Sequence, residues 1–298
     1  MELDWLGDFL ALAAQRNFSR AADSRNVTQP AFSRRIRALE DWIGTPLFRR
    51  GAQGAELTEA GAHLRPLAED LLARLHRARQ DTRALGERGT ATLAIAATHA
   101  LSFTFFPGWI RRQARLEALG TVNLVSDSLE ACEALMLGGE AHFLLCHHHP
   151  DAPNPLDPAR FPSRAVGTDT LVAACAPAAG GGPAWRLDDA AAPRLAYSPA
   201  SGLGRILAAC RGDARRGGTA PRLTSHLAAA LLTLAREGHG IAWLPLTVAG
   251  EDLASGRLVR AGPPGSDLAV GIRLFRAPGP QGRAAEALWE SLGDAADG

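Results

Sequence analysis

The chain has 298 residues, 46% of them hydrophobic, enough for two domains or one lobed domain with real cores. Its formal charge is only +1, so no global field draws it to polyanions and a nucleic-acid reading must rest on local clusters. All 32 basic residues are arginine, which the Ala-, Gly- and Leu-rich composition explains without a functional demand for guanidinium groups.

The opening stretch, MELDWLGDFLALAAQRN, carries acidic residues where a signal peptide carries basic ones, and its apolar positions are spaced for one helix face. A cytoplasmic protein is expected. Residues 1–58 read as short helices punctuated by Asn17-Phe18-Ser19, Asn26-Val27-Thr28 and Gly44-Thr45-Pro46. Ser19 is placed to cap a first helix, SRAADSRN, and Asn26-Val27 turns the chain. Thr28 then caps a second helix with Gln29 and Pro30 in its first turn, where a missing N–H costs nothing. On that helix Phe32, Ile36, Leu39 and Ile43 share one line, while Pro30, Ser33, Arg34 and Arg37 lie opposite.

Two short helices joined by a tight turn form a helix-turn-helix, whose second helix enters the major groove. Gln29 can read adenine, Arg34 and Arg37 can read guanine or grip phosphate, and Ser33 can reach either. Pro30 either touches a base methyl or just starts the helix. Arg49 and Arg50, with the loop Gly51 to Gly54, would form a wing making backbone contacts. Eight arginines from Arg16 to Arg50 face Asp23, Glu40 and Asp41, a local balance of about +5. A lone basic helix is ordinarily a solvated face; here the turn, cap, Pro30 and helix faces agree. Arg35 points sideways and can equally pair with an acid.

From Thr58 to about Arg88 one long helix is expected, with Leu64, Ala68, Leu71, Leu75, Ala78, Thr82 and Leu85 at alternating spacings of four and three, a seam that wants a partner helix. The uncharged run Gly89 to Ile110 holds four threonines, a histidine, a serine and Pro107, and reads as strand, loop and helix start, so no membrane segment is expected. Strands and helices then alternate, the pattern of a largely parallel α/β sheet: TLAIAAT, TVNLVS and AHFLLCH as strands with FFPGWIRRQARLEAL and SLEACEALMLGG as helices. A second lobe follows, with TLVAACAP, RLAYS and GIAWLP as strands, and GLGRILAAC and SHLAAALLTLAREG as helices. AVGIRLFRA and RAAEALWESL close the chain, and the loop-rich DAPNPLDPARFPS and AGPPGSD fall near the crossings between lobes.

In such a domain ligands sit at the carboxyl ends of parallel strands, facing helix N-termini that favour anions. That selects Thr98, His99 and Ser102 after the first strand, Ser126 after the second and His147 after the third. Ser198, Ser201, Gly202, Ser225 and His226 come from the other lobe. Their hydroxyls suit a small carboxylate or oxyanion, although each serine alone reads equally as a helix cap. The run Cys146-His147-His148-His149 with His142 invites a metal reading, but adjacent strand residues face opposite ways and no further carboxylate or cysteine completes a set, so no metal is assigned. A pocket-facing His147 with solvated His148 and His149 is preferred. Cys132, Cys146, Cys175 and Cys210 lie far apart without C-x-x-C and read as reduced, mostly buried thiols, Cys146 beside His147 being the exception worth testing. No G-x-S-x-G, phosphate loop, zinc signature or paired carboxylates point to an enzyme.

The segment SRAADSRNVTQPAFSRRIRALEDWIGTPLFRR with LTEAG resembles the LysR-type transcriptional regulators over the N-terminal 60 residues. The resemblance implies an α+β multidomain fold: a winged helix-turn-helix (1–58), a linker and dimerisation helix (59–88), and a two-lobed α/β effector domain like periplasmic solute-binding proteins (89–298). Lobe I would be about 89–162 and 267–298, and lobe II about 163–266. The implied partners are double-stranded promoter DNA, a small-molecule or anionic effector, further copies in a dimer or tetramer, and RNA polymerase, with no cofactor. SRNVTQPAFSRRIRALE, AATHALSFTFFPGWI, the strand ending in His147 and GHGIAWLP are most similar to the hypochlorite-responsive branch, thought to sense through methionine oxidation. This chain departs from that pattern, holding just Met1 and Met136. A thiol- or metal-responsive regulator and a binding protein without a DNA role are the alternatives.

Overall fold

The computed structural model describes residues 2–51, 54–86, 92–113, 120–211 and 221–293. They fall into two compact units, one built on residues 1–86 and one on the rest apart from residues 137–140.

The N-terminal unit starts with α1 (Leu3–Gln15), whose Leu6, Phe9 and Leu12 are buried at the spacing of one helix face. α1 ends where Arg16 turns left-handed. The next helix, α2 (Phe18–Ser24), is capped by Asn17, whose Oδ1 accepts from the N–H groups of Ser19 and Arg20. The cap is therefore Asn17 rather than Ser19, because the helix begins at Phe18, two residues before the start a Ser19 cap would give. Asn26, at φ 54°, makes the turn into α3 (Gln29–Ile43). Thr28 holds the N-cap position there, but its side chain makes no cap hydrogen bond. Phe32, Ile36 and Leu39 of α3 are buried with Leu47.

A two-stranded wing, β1 (Phe48–Gly51) and β2 (Gly54–Leu57), follows. Glu40 Oε1 accepts from the backbone N–H of Leu47 and Phe48 at 2.8 and 3.1 Å, fixing where the wing leaves α3. Gly54, at φ +115°, packs so tightly that a Cβ would sit 2.2 Å from the Arg16 carbonyl oxygen. That carbonyl accepts from Ala55 N–H at 2.8 Å, which ties the wing to the end of α1. The last element, α4 (Glu59–Gly86), runs through Pro66 without ending. Its seam divides. Ala68 is buried and Leu64 half-buried in the unit's own core, whereas Leu71, Leu75, Ala78 and Thr82 are exposed. The side chain of Leu85 lies outside the described part.

In the second unit β3 (Thr92–Thr98) runs parallel to β4 (Thr121–Asp127) and β5 (Phe143–His148). A short helix, α5 (His99–Thr104), precedes α6 (Phe106–Gln113), a division the sequence reading did not make; the rest of the expected helix, 114–119, lies outside the described residues. α7 (Leu129–Leu137) links β4 to β5. The crossings between lobes are strands: β6 (Ser163–Cys175) starts in lobe I and continues into lobe II, and β11 (Leu268–Arg276) returns antiparallel to it and to β5. The loop-rich segments end where these strands begin.

Lobe II holds β7 (Arg194–Tyr197), α8 (Gly202–Arg211), β8 (Leu223–Ser225), α9 (Ala228–Arg236), β9 (Ile241–Pro245), α10 (Leu246–Ala254) and β10 (Val259–Arg260). β7 is parallel to β8 and β9, while β9 and β10 are antiparallel to β6. The sheet is thus mixed, in the order β4-β3-β5-β11-β6-β9-β7-β8, and not the largely parallel sheet expected. Two long strands of opposite direction carry the chain between lobes, and they impose antiparallel pairing at the centre. α11 (Gly282–Ser291) seals the lobe I core, with Leu288 and Trp289 packed among Trp109, Phe143 and Ile272.

Candidate nucleic-acid interface and effector cleft

The first turns of α3 present Thr28, Gln29, Pro30, Arg34 and Arg37 to solvent, with Ser33 half-buried among them. Ser19, Gln29, Ser33, Arg37 and Arg49 line one open groove of about 1260 Å³ between the helices and the wing. Arg16 and Asn17 line it as well. The sequence reading missed both; Asn17 was detectable as the strongest capping type in its turn. Thr28, Pro30 and Arg34 stand outside that groove's lining, and the side chain of Arg50 lies outside the described part.

Not all the local arginines serve this face. Asp8 of α1 is fully buried, and its carboxylate meets Arg25 Nε at 2.9 Å and Arg35 Nη1 at 3.4 Å. One carboxylate thereby joins α1, the end of α2 and the inner side of α3. Arg35 is the sideways residue of the sequence reading, and its acid is Asp8. Arg49 lies 3.4 Å from Glu56 across the wing, an exposed pair of little energetic weight.

The second unit carries a cleft of about 390 Å³ between the lobes. Thr98, His99 and His147 line it from lobe I, and Ser201, Gly202 and His226 from lobe II. The rings of His99 and His226 meet across it, centroids 5.5 Å apart. Ser102 and Ser126 stand behind His99: their hydroxyls are 2.8 Å apart, and Ser126 Oγ is 3.1 Å from His99 Nδ1. Ser198 and Ser225 do not line the cleft. The Ser198 N–H donates to the Ser225 carbonyl, and Ser225 Oγ accepts from Leu227 N–H, so this pair shapes the loops before α8 and α9.

The N-termini of α7, α8 and α9 all reach the cleft through Leu129, Gly202 and Ala228. Their N–H groups and dipoles favour negative charge there, opposed only locally by Asp127. Partial burial lowers the His99 imidazole below its ordinary value, against the pull of Asp127 and with a further push from His226. The Thr98 hydroxyl is buried with no hydrogen-bond partner.

His147 is anchored beneath the cleft. Its Nε2 lies 3.1 Å from Asp169 Oδ2 on β6, with both side chains buried. The Thr247 hydroxyl donates to the same carboxylate at 2.6 Å and the Thr170 N–H donates at 2.7 Å. Burial pushes Asp169 up, but His147, Thr247 and Thr170 outweigh it and hold the carboxyl below the usual range. Asp169 and Thr247 were invisible in the sequence, since they come from elements 22 and 100 residues beyond His147. A second cross-lobe tie is ionic: Arg205 Nη1 of α8 reaches both oxygens of buried Glu133 in α7, at 2.7 and 2.9 Å.

The thiols sort by burial. Cys132 is pushed up to about 12 by burial and by Asp127, and burial pushes Cys146 further still. Both side chains are buried, and burial disfavours the thiolate that reacts. His148 and His149 are half-buried rather than solvated, and His149 Nδ1 lies 3.2 Å from Cys210 Sγ. His142 Nδ1 accepts from Ala94 N–H, and the His148 ring packs against Phe275. Among the described residues no helix is long and apolar enough to cross a membrane.

Residues 3–62 match the lysR family of bacterial regulatory helix-turn-helix proteins, and residues 86–297 match the LysR substrate binding domain. The transcriptional regulator YjiE of Escherichia coli is 32% identical over 259 residues, 87% of this chain and 83% of YjiE. Among solved structures, Vibrio fischeri DarR, determined in complex with DNA, is 28% identical over 99% of both chains with a TM-score of 0.57. Full-length HypT of Salmonella typhimurium, a hypochlorite-specific LysR-type regulator, is 29% identical over 98% of this chain and 97% of its own, with a TM-score of 0.58. This chain belongs to the LysR family of DNA-binding transcriptional regulators, a helix-turn-helix followed by the family's effector-binding domain.

Proposed function

We propose that α3 lies in the major groove of promoter DNA, that α4 pairs two copies of the chain, and that a small anion held between His99 and His226 changes how the DNA is bound. The observation that carries the DNA part is the groove shared by Gln29, Ser33, Arg37 and Arg49, on a helix whose reverse side is locked by Asp8. Ser19 lines the same groove and Thr28, Pro30 and Arg34 flank it, with Arg50 following Arg49 in β1. The cross-lobe pairing of two imidazoles with three helix N-termini supports the anion. The test is retardation of the fragment upstream of the protein's own gene at low ionic strength, with and without small carboxylates and oxyanions. Failure to retard any such fragment overturns the DNA reading; retardation indifferent to every anion overturns the effector reading.

Similarity to HypT favours a second reading, in which the signal is hypochlorite. Methionine chemistry has little to work on here: Met136 is fully buried in α7, and Met1 lies outside the described residues. On this reading hypochlorite changes promoter binding even after Met136→Leu. A response abolished by that substitution would instead assign the signal to Met136.

A further inference from the structure

We propose that His149, Asp151 and Cys210 form a zinc site tying the segment after β5 to the C-terminal turn of α8. His149 Nδ1 lies 3.2 Å from Cys210 Sγ and 3.8 Å from an Asp151 carboxylate oxygen. The three ligand atoms all fall within 4.8 Å of one another. A tetrahedral zinc ion, with Zn–S near 2.3 Å and Zn–N or Zn–O near 2.1 Å, sets neighbouring ligand atoms about 3.3–3.6 Å apart. Both separations from His149 are within a few tenths of an ångström of that span, and the exposed Asp151 side chain can swing to make up the rest.

The three donors differ in what each must give up to bind a metal. The backbone N–H of Asp151 donates to His149 Nδ1 at 3.3 Å, so Nδ1 is the lone-pair nitrogen, and an ion bound there would take over that lone pair and displace this long hydrogen bond. Cys210 is the half-exposed one of the four free cysteines. Binding forms the S–Zn bond as the thiol proton leaves to solvent, with no change in oxidation state. Thiolate, imidazole and carboxylate together select zinc over magnesium or calcium, and three protein ligands leave a fourth position for water. His149 also lines a second cavity of about 370 Å³, beside Arg205 and Glu133, whereas none of the three ligands lines the cleft around His99. The site therefore stands or falls independently of the cleft's effector and of DNA binding.

Titrating untagged, reduced full-length protein with Co2+ as the probe tests this. The expected result is one ion per chain, a near-ultraviolet thiolate-to-cobalt charge-transfer band, and displacement by Zn2+. Cys210→Ser loses the band, while His149→Gln keeps the thiol and loses more affinity than the roughly 10–100-fold that removal of an outer-shell partner costs. Zinc should also shield one thiol from alkylation in the wild type and none in His149→Gln. A wild type that shows no charge-transfer band, or a band of equal strength in a folded Cys210→Ser protein, overturns the site.

Discussion

Asp8 shows how one side chain can prepare a surface it does not join. Its carboxylate is fully buried, and the arginines it holds keep about a third of their side-chain surface exposed. Asp8→Asn removes the charge while keeping the shape, and we expect the N-terminal unit to lose about 1–3 kcal/mol, read as a lower unfolding midpoint in denaturant. Arg37 is the complementary case, exposed and in the groove. Arg37→Ala should cost about 1–3 kcal/mol of promoter affinity at fixed salt. Loss of preference at one base position would mark a base contact, and uniform weakening a phosphate contact. His99 yields a pH prediction. Its folded-state value lies below the ordinary imidazole value of about 6.5, so the unfolded chain takes up the proton first as pH falls. The second unit should lose stability as pH drops below about 6.5 toward the depressed folded value, and His99→Gln should flatten that slope in thermal scans. Residues such as His99 and Arg37 were legible because they follow a strand or head a helix. Asp169 and Cys210 were not, since the partners that give them meaning arrive through crossings no local pattern encodes.

At the scale of elements, α4 divides its apolar face between two tasks. Leu64 and Ala68 close the unit's own core, while Leu67, Leu71 and Leu75 leave 49, 52 and 40% of their surface in solvent at spacings of four. An exposed row of leucines on a long helix is what a second helix covers. Substituting Leu71 and Leu75 together with glutamate should separate the copies while leaving Ala68 and the core in place. Sedimentation should show a folded monomer, and an unchanged profile would reject α4 as the pairing surface. The helices of the first unit were readable because caps, turns and apolar spacing agree there. In the second unit the sequence shows TLVAACAP as a strand, but the strand starts seven residues earlier at Ser163. Its first half, Ser163–Thr168, is half-buried or exposed throughout across the lobe crossing, and that weak pattern lacks the apolar run of the buried half. The short β8 and β10 and the helix α10 escaped for a similar reason: they are held by pairing or packing to distant elements rather than by their own composition.

For the whole molecule, a charge of +1 conceals a strong asymmetry. The counted excess between Arg16 and Arg50 includes Arg25 and Arg35, both committed to Asp8, so the groove relies on the remaining arginines around α3 and the wing. A paired molecule doubles that set, and each phosphate it neutralises releases counterions from the duplex. Promoter affinity should therefore fall steeply with salt despite the nearly neutral chain, by about 10³-fold or more between 50 and 200 mM if the pair makes about six phosphate contacts. Arg49→Ala should reduce the slope of log affinity against log salt by about 0.9 for each copy of the chain in the complex, while leaving sequence preference intact. Fluorescence anisotropy across a salt series measures both quantities. A slope near zero in the wild type would mean that the arginine-lined groove is not the surface that meets the phosphates.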